Sequence, residues 1–146
     1  MPSATFSHSV HVGRPSSEVW DGLQDPEIWA SVGPVQKVWD PRVEDGVLLD
    51  FKWSTEIGNK TYNGVGTALE HTRPGRYVID LDAGEMAGKI DATLSDGNPG
   101  GTDIDVSIEL RSKGMLSSLF FPAIKSAIGG GFPDQVDDMA AKLAEA

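Results

Sequence analysis

The chain has 146 residues, 39% hydrophobic and 23% charged, with a formal net charge of -10 and no cysteine. This describes one globular domain, residues 1–146, large enough for its own core and without a linker or internal repeat. The acidic balance argues against a nucleic-acid partner and against electrostatic docking to anionic lipid, and the lack of cysteine excludes disulfides, a thiolate nucleophile and a cysteine-based zinc site. Met1-Pro2-Ser3-Ala4-Thr5 has neither the basic nor the apolar segment of a signal peptide, so a cytoplasmic location is expected.

Thr5 to Val12 alternates, with Phe6, His8, Val10 and Val12 on one face, which predicts a half-buried strand. Gly13-Arg14-Pro15 ends it. Ser16 or Ser17 can cap a short helix reaching Leu23, with Val19, Trp20 and Leu23 inward. Asp25-Pro26-Glu27 starts a second: a capping Asp, Pro at the first helical position and an acid in the first turn. That helix ends near Val32-Gly33.

Six strands follow. Val35 to Trp39 is closed by Asp40-Pro41. Val47 to Ser54 sets Val47, Leu49, Phe51 and Trp53 against Leu48, Asp50, Lys52 and Ser54. After the Gly58-Asn59 turn, Lys60 to Glu70 puts Tyr62, Gly64, Gly66 and Ala68 on one face. Thr72-Arg73-Pro74-Gly75 turns the chain into a strand with Tyr77, Ile79 and Leu81 inward. Met86, Gly88, Ile90, Ala92 and Leu94 form the inner face of the next. The last strand follows the loop from Asp96 to Gly101 and sets Thr102, Ile104, Val106, Ile108 and Leu110 against Asp103, Asp105, Ser107 and Glu109. Short turns make consecutive antiparallel pairing the simplest topology.

The final third is helical. Leu116, Leu119, Phe120, Ala123, Ile124, Ala127 and Ile128 recur at helical spacing, and Phe132, Val136, Met139, Ala140 and Leu143 form a second group. The two stripes are offset by roughly 140° on a helical wheel. Gly129-Gly130-Gly131-Phe132-Pro133 lies between them and predicts a kink, with Pro133 and Asp134 in the first turn of the second segment. Pro122 is either a second kink or the start of the regular helix. The glycines either let the helix bend around the sheet or let a ligand approach its backbone. The interrupted apolar run does not suit a membrane span, although Leu119-Phe120-Phe121 could make weak surface contact. The fold class is therefore α+β, a curved antiparallel seven-stranded sheet wrapped around a long, kinked C-terminal helix.

Several of these segments together resemble the START-like, or SRPBCC, superfamily with its helix-grip fold, which includes polyketide cyclase/dehydrase-like proteins. They are the opening strand, Ser16-Ser17-Glu18-Val19-Trp20, Asp25-Pro26-Glu27, the strand from Gly64 to Glu70, Gly101-Thr102-Asp103 and the C-terminal helix. Lys113-Gly114-Met115-Leu116 is loosely similar to the helix entry of short bacterial members of that superfamily related to a component of carbon monoxide dehydrogenase. The resemblance covers nearly the whole chain and rests on structural motifs, with no catalytic motif to transfer. It implies a cavity between sheet and C-terminal helix for a hydrophobic small molecule, such as a lipid, polyketide, isoprenoid or aromatic compound. The glycine-rich break departs from the uninterrupted helix of that pattern.

On the sheet such a cavity would be lined by Phe51, Trp53, Gly64, Ile79, Met86 and Ile90. The helix would supply Phe120, Ile124 and Ile128, and Trp29 would flank the mouth. The polar residues on the inner face are His8, Tyr62 and Tyr77. His8 is the one candidate acid or base, and either tyrosine could donate a hydrogen bond to a ligand carbonyl. Gly64 and Gly66 either bend their strand or add room beside Tyr62. The three histidines lack metal-ligand spacing, and Asp80, Asp82, Asp91, Asp103, Asp105 and Glu109 form a solvated outer face, so neither a metal nor a cofactor is expected. Three functions fit: a carrier or sensor of an apolar molecule; a cyclase or dehydratase using His8 or a tyrosine; and an assembly or chaperone-type module using the acidic face or Leu119-Phe120-Phe121. The oligomeric state is left open.

Overall fold

The computed structural model describes residues 3–30, 32–57, 59–97, 100–113 and 115–145, and the side chains of 115–120 fall outside the description. The elements are β1 (Ser3–Val12), α1 (Ser16–Leu23), α2 (Pro26–Trp29), β2 (Lys37–Glu44), β3 (Val47–Ile57), β4 (Lys60–Thr72), β5 (Arg76–Asp82), β6 (Met86–Asp96), β7 (Thr102–Ser112), α3 (Met115–Gly129) and α4 (Phe132–Glu145). All strands join one antiparallel sheet in the order β1-β7-β6-β5-β4-β3-β2. β2 to β7 pair consecutively, while β1 closes the far edge against β7. The chain must therefore travel from one edge to the other between β1 and β2, and α1 and α2 carry it.

α1 buries Val19, Trp20 and Leu23. Its N-cap is Pro15, with no side-chain cap, so neither Ser16 nor Ser17 plays the expected part. Asp25 does cap α2: its side chain accepts from the Glu27 N–H at 3.0 Å, with Pro26 in the first turn.

The period-two pattern holds from end to end in β7, where Ile104, Val106, Ile108 and Leu110 are buried and Asp103, Asp105 and Glu109 exposed, and in β6 from Gly88 to Leu94, although Ala87 is buried as well. Three irregularities break it elsewhere. β2 does not stop at Asp40-Pro41 but bulges through it, with Asp40 at φ 49°. Proline is tolerated there because β2 is an edge strand and the bulge removes the ladder bond it could not donate. A second slip leaves Leu49 without a partner, since Arg42 faces Asp50 and Val43 faces Leu48. Leu48, not Leu49, is fully buried, and the inward residues of β3 become Leu48, Phe51, Trp53 and Thr55. A third slip, between Ala68 and Glu70, leaves Leu69 without a partner on β5, at its regular outward place and 59% exposed.

The C-terminal helix is two helices, separated by a turn at Gly130-Gly131. α4 buries the expected Phe132, Val136, Met139, Ala140 and Leu143. Pro122 lies within α3, and Phe121, Ile124 and Ile128 are buried there, whereas Ala123 and Ala127 face solvent. A side chain on Gly129 would meet the Phe6 ring at 2.4 Å, so that glycine admits an aromatic ring of β1 to the helix backbone. Phe6 also tilts against Phe132, with centroids 6.3 Å apart. No described helix is long and apolar enough to cross a membrane.

On β4, a Cβ at Gly64 would lie 2.5 Å from the Asp82 backbone oxygen and 2.7 Å from the Trp53 ring. Backbone cannot yield as a flexible side-chain tip can. Gly64→Ala is expected to cost about 1–3 kcal/mol. Gly13→Ala, which meets nothing within 4 Å, should change stability by less than about 0.5 kcal/mol. Urea unfolding of both variants checks this, and equal midpoints would refute the packing account.

Candidate ligand site

The inner face of the sheet divides into two polar regimes. The first centres on Leu48, whose peptide is turned inward by the bulge. Its N–H donates to Gln24 Oε1 at 2.9 Å, and its carbonyl accepts from the Tyr77 hydroxyl at 2.5 Å. Gln24 Nε2 donates to the Trp20 carbonyl at 3.1 Å, and Trp29 Nε1 to the Leu23 carbonyl at 2.9 Å. Tyr77 is fully buried between Trp20, edge-on at 5.7 Å, and Trp29, stacked at 5.9 Å. Trp29, expected from sequence at a cavity mouth, is 0% exposed and belongs to this cluster.

The second regime lies further along β3. Trp53 pairs with Gly64 and Thr55 with Tyr62, so these four positions form one patch of the inner face. The Trp53 ring lies over Gly64 and the Phe51 ring over Gly66. The glycines therefore make room for aromatic rings rather than for added volume beside Tyr62. Trp53 and Thr55 are each 1% exposed, and Trp53 Nε1 and Thr55 Oγ1 have no hydrogen-bond partner among the described residues. Sequence reasoning misses Thr55. Its only signal is its position two residues beyond Trp53, on the same face of a strand.

His8 stands apart from both. It projects from edge strand β1 toward α4, and its Nε2 lies 2.8 Å from Asp137 Oδ1 with both side chains partly exposed. Ile79, Met86 and Ile90 are buried in the central strands, and Ile124 and Ile128 on α3 belong to the same core. The Phe120 side chain lies outside the described residues. An open groove between β1 and α3 is lined by Phe6, Pro122, Lys125, Ser126, Gly129 and Gly130.

The outer acids are largely engaged. Arg76 donates to Asp91 at 2.6 Å and holds its carboxyl below the usual range. The Gly84 N–H, and then Lys113, do the same for Asp82. Asp103 bonds His11 at 2.8 Å, and Ser9 donates to Asp105. Among the described residues, no three His, Asp or Glu side chains gather as a metal site.

Comparison with family models and with curated protein sequences finds no match. Solved structures do match over nearly the full length. A START superfamily protein from Mycobacterium smegmatis has a TM-score of 0.68 at 12% identity, covering 95% of this chain and 98% of its own. The chain has the START-like (SRPBCC) helix-grip fold. An aromatase/cyclase from Streptomyces sp. R1128 aligns at TM-score 0.69 and 14% identity, over 99% of this chain and 94% of its own. A Thermus thermophilus protein aligns at 0.71 and 10%, over 99% and 98%. At these identities the START-like likeness speaks for the fold, and any activity must be argued from the residues.

Burial raises the Tyr77 pKa well above that of a free tyrosine. The folded state thus favours the protonated phenol. Its contribution is complete below about pH 10, the unfolded value, and is lost as pH rises toward the folded one. Tyr77→Phe should cost about 1–3 kcal/mol at neutral pH, because the buried Leu48 carbonyl loses its donor. The variant should also lose stability less steeply than the wild type above about pH 10. Urea unfolding across that range checks both, and parallel pH profiles would count against the assignment.

Proposed function

We propose that this START-like protein is a cytoplasmic carrier or sensor that binds one predominantly apolar small molecule between its sheet and α3. Trp53 and Tyr62 would line the site from the sheet, and Ile124 and Ile128 from the helix. The observation that carries this reading is that two of the three candidate proton-transfer groups, Tyr77 and His8, are committed elsewhere. The Tyr77 hydroxyl donates to Leu48, and His8 is bonded to Asp137 at the sheet edge. Acid–base catalysis needs such a group within reach of the substrate. With both tied to the fold, the interior offers an apolar surface with few polar atoms, which suits retention of a ligand more than its conversion.

The cyclase-like alternative draws on the Streptomyces neighbour alone, and fold does not carry activity across at this identity. The interaction-module alternative loses support because Phe121 of the proposed apolar patch is 4% exposed. Asp103 and Asp105 are also already bonded to His11 and Ser9.

Titration with the neutral fluorophore N-phenyl-1-naphthylamine tests the proposal. Saturable uptake of one molecule per chain with a blue-shifted emission is expected. Ile124→Trp, which adds bulk at α3, should weaken uptake while the far-UV spectrum is unchanged. His8→Ala should alter the binding energy by less than about 1 kcal/mol, since its bond to Asp137 lies at the partly exposed sheet edge, outside the proposed site. Failure of any saturable uptake by the wild type overturns the proposal.

A further inference from the structure

We propose that the ligand is a neutral molecule with an apolar body and a carbonyl-type oxygen, held by Trp53 Nε1 and Thr55 Oγ1. This rests on the binding reading above and names the chemistry that the same interior selects.

Both side chains are 1% exposed, and neither polar atom finds a partner among the described residues. Buried polar atoms are nearly always satisfied, so two unmet ones side by side require an external partner. They are side by side: residues 53 and 55 point to the same face of β3, roughly 7 Å apart along the strand. Across the ladder they face Gly64 and Tyr62. Gly64 has no side chain that could bond the indole, and the ring edge carrying Cε2 lies directly over it.

The chemistry of the two atoms defines their partner. An indole N–H only donates, so the ligand must present an acceptor. A threonine hydroxyl donates or accepts, so it can share that oxygen or meet a second polar atom. A carboxylate is disfavoured because a buried charge needs a paired cation. Of the cations near this end of the sheet, Lys60 lies over the Tyr62 ring at 5.1 Å and is paired with Glu85, and Lys113 is paired with Asp82. A purely hydrocarbon ligand would leave both atoms unmet. A ketone, quinone or similar oxygen on a ring system meets the requirement.

Two matched pairs test this: 1-indanone against indane, and 9-fluorenone against fluorene. Each pair shares its ring skeleton and differs at one carbon, and binding is read by displacement of N-phenyl-1-naphthylamine. In at least one pair, the ketone should bind about tenfold tighter or more. Trp53→Phe should remove that preference, read as the ratio of ketone to hydrocarbon affinity within each variant, and Thr55→Val should reduce it. If wild type takes up ketone and hydrocarbon equally, the inference is overturned: the two atoms are then satisfied by ordered water and the binding reading survives. A preference that persists in both variants also overturns it. If neither the probe nor either pair binds, the binding reading fails and this inference fails with it.

Discussion

The architecture depends on the backbone of one residue, Leu48. The slip at Leu49 turns Leu48 inward, taking its N–H and carbonyl away from solvent in the middle of a core. Leaving either unmet would cost about 1–3 kcal/mol. Gln24, at the C-terminal cap of α1, meets the N–H, and Tyr77 on β5 meets the carbonyl. Two side chains from elements distant in sequence thus converge on one irregular residue. Since α1 and α2 carry the chain from one sheet edge to the other, this bond set fixes the crossing segment onto the sheet. Trp20 and Trp29 then close around Tyr77, so the polar contacts sit in a dry aromatic surround where they are strongest.

Aromatic rings lying on glycine recur through the interior. Phe51 lies over Gly66, Trp53 over Gly64, and Phe6 against Gly129 at the end of α3. In the sheet this arrangement covers backbone that a glycine would otherwise expose, and it brings large apolar surfaces close to the strand. At Gly129 the same device brings β1 close to the break between α3 and α4. Small residues therefore mark the places where large ones are received, and the interior volume is shaped by the rings.

What the sequence could express depended on regularity. The alternation in β7 was legible because nothing interrupts a strict period of two, and Asp25-Pro26-Glu27 was legible because capping is local chemistry. The helix break was legible because three glycines and a proline all oppose helix. The course of β2 through Pro41 and the inward turn of Leu48 were not, because a bulge is decided by pairing with another strand. Nor was the inner face of α3: Phe121 rather than Ala123 or Ala127 is buried, since packing chose among overlapping apolar stripes. Of the candidate site, Trp53 and Tyr62 were visible as inward aromatics. Trp29 and Tyr77 were visible as residues, but the bonds that place them in the Leu48 cluster depend on tertiary contacts. Thr55 was hidden because a threonine in a strand carries no mark of whether its hydroxyl will be met.

The contrast along β3 bears on function more than any single residue. At Leu48 the backbone N–H and carbonyl are both answered, and by side chains brought from afar. Five residues on, at Trp53, and again at Thr55, buried polar atoms go unanswered. A chain that can recruit Gln24 and Tyr77 for the backbone of one irregular residue does not lack the means to satisfy an indole N–H. Phenylalanine at 53 and valine at 55 would fill similar volume without the polar atom, and burying an unmet one is costly. Two such atoms on one face, beside a glycine and a tyrosine, therefore make sense as one side of a contact whose other side is not part of this chain.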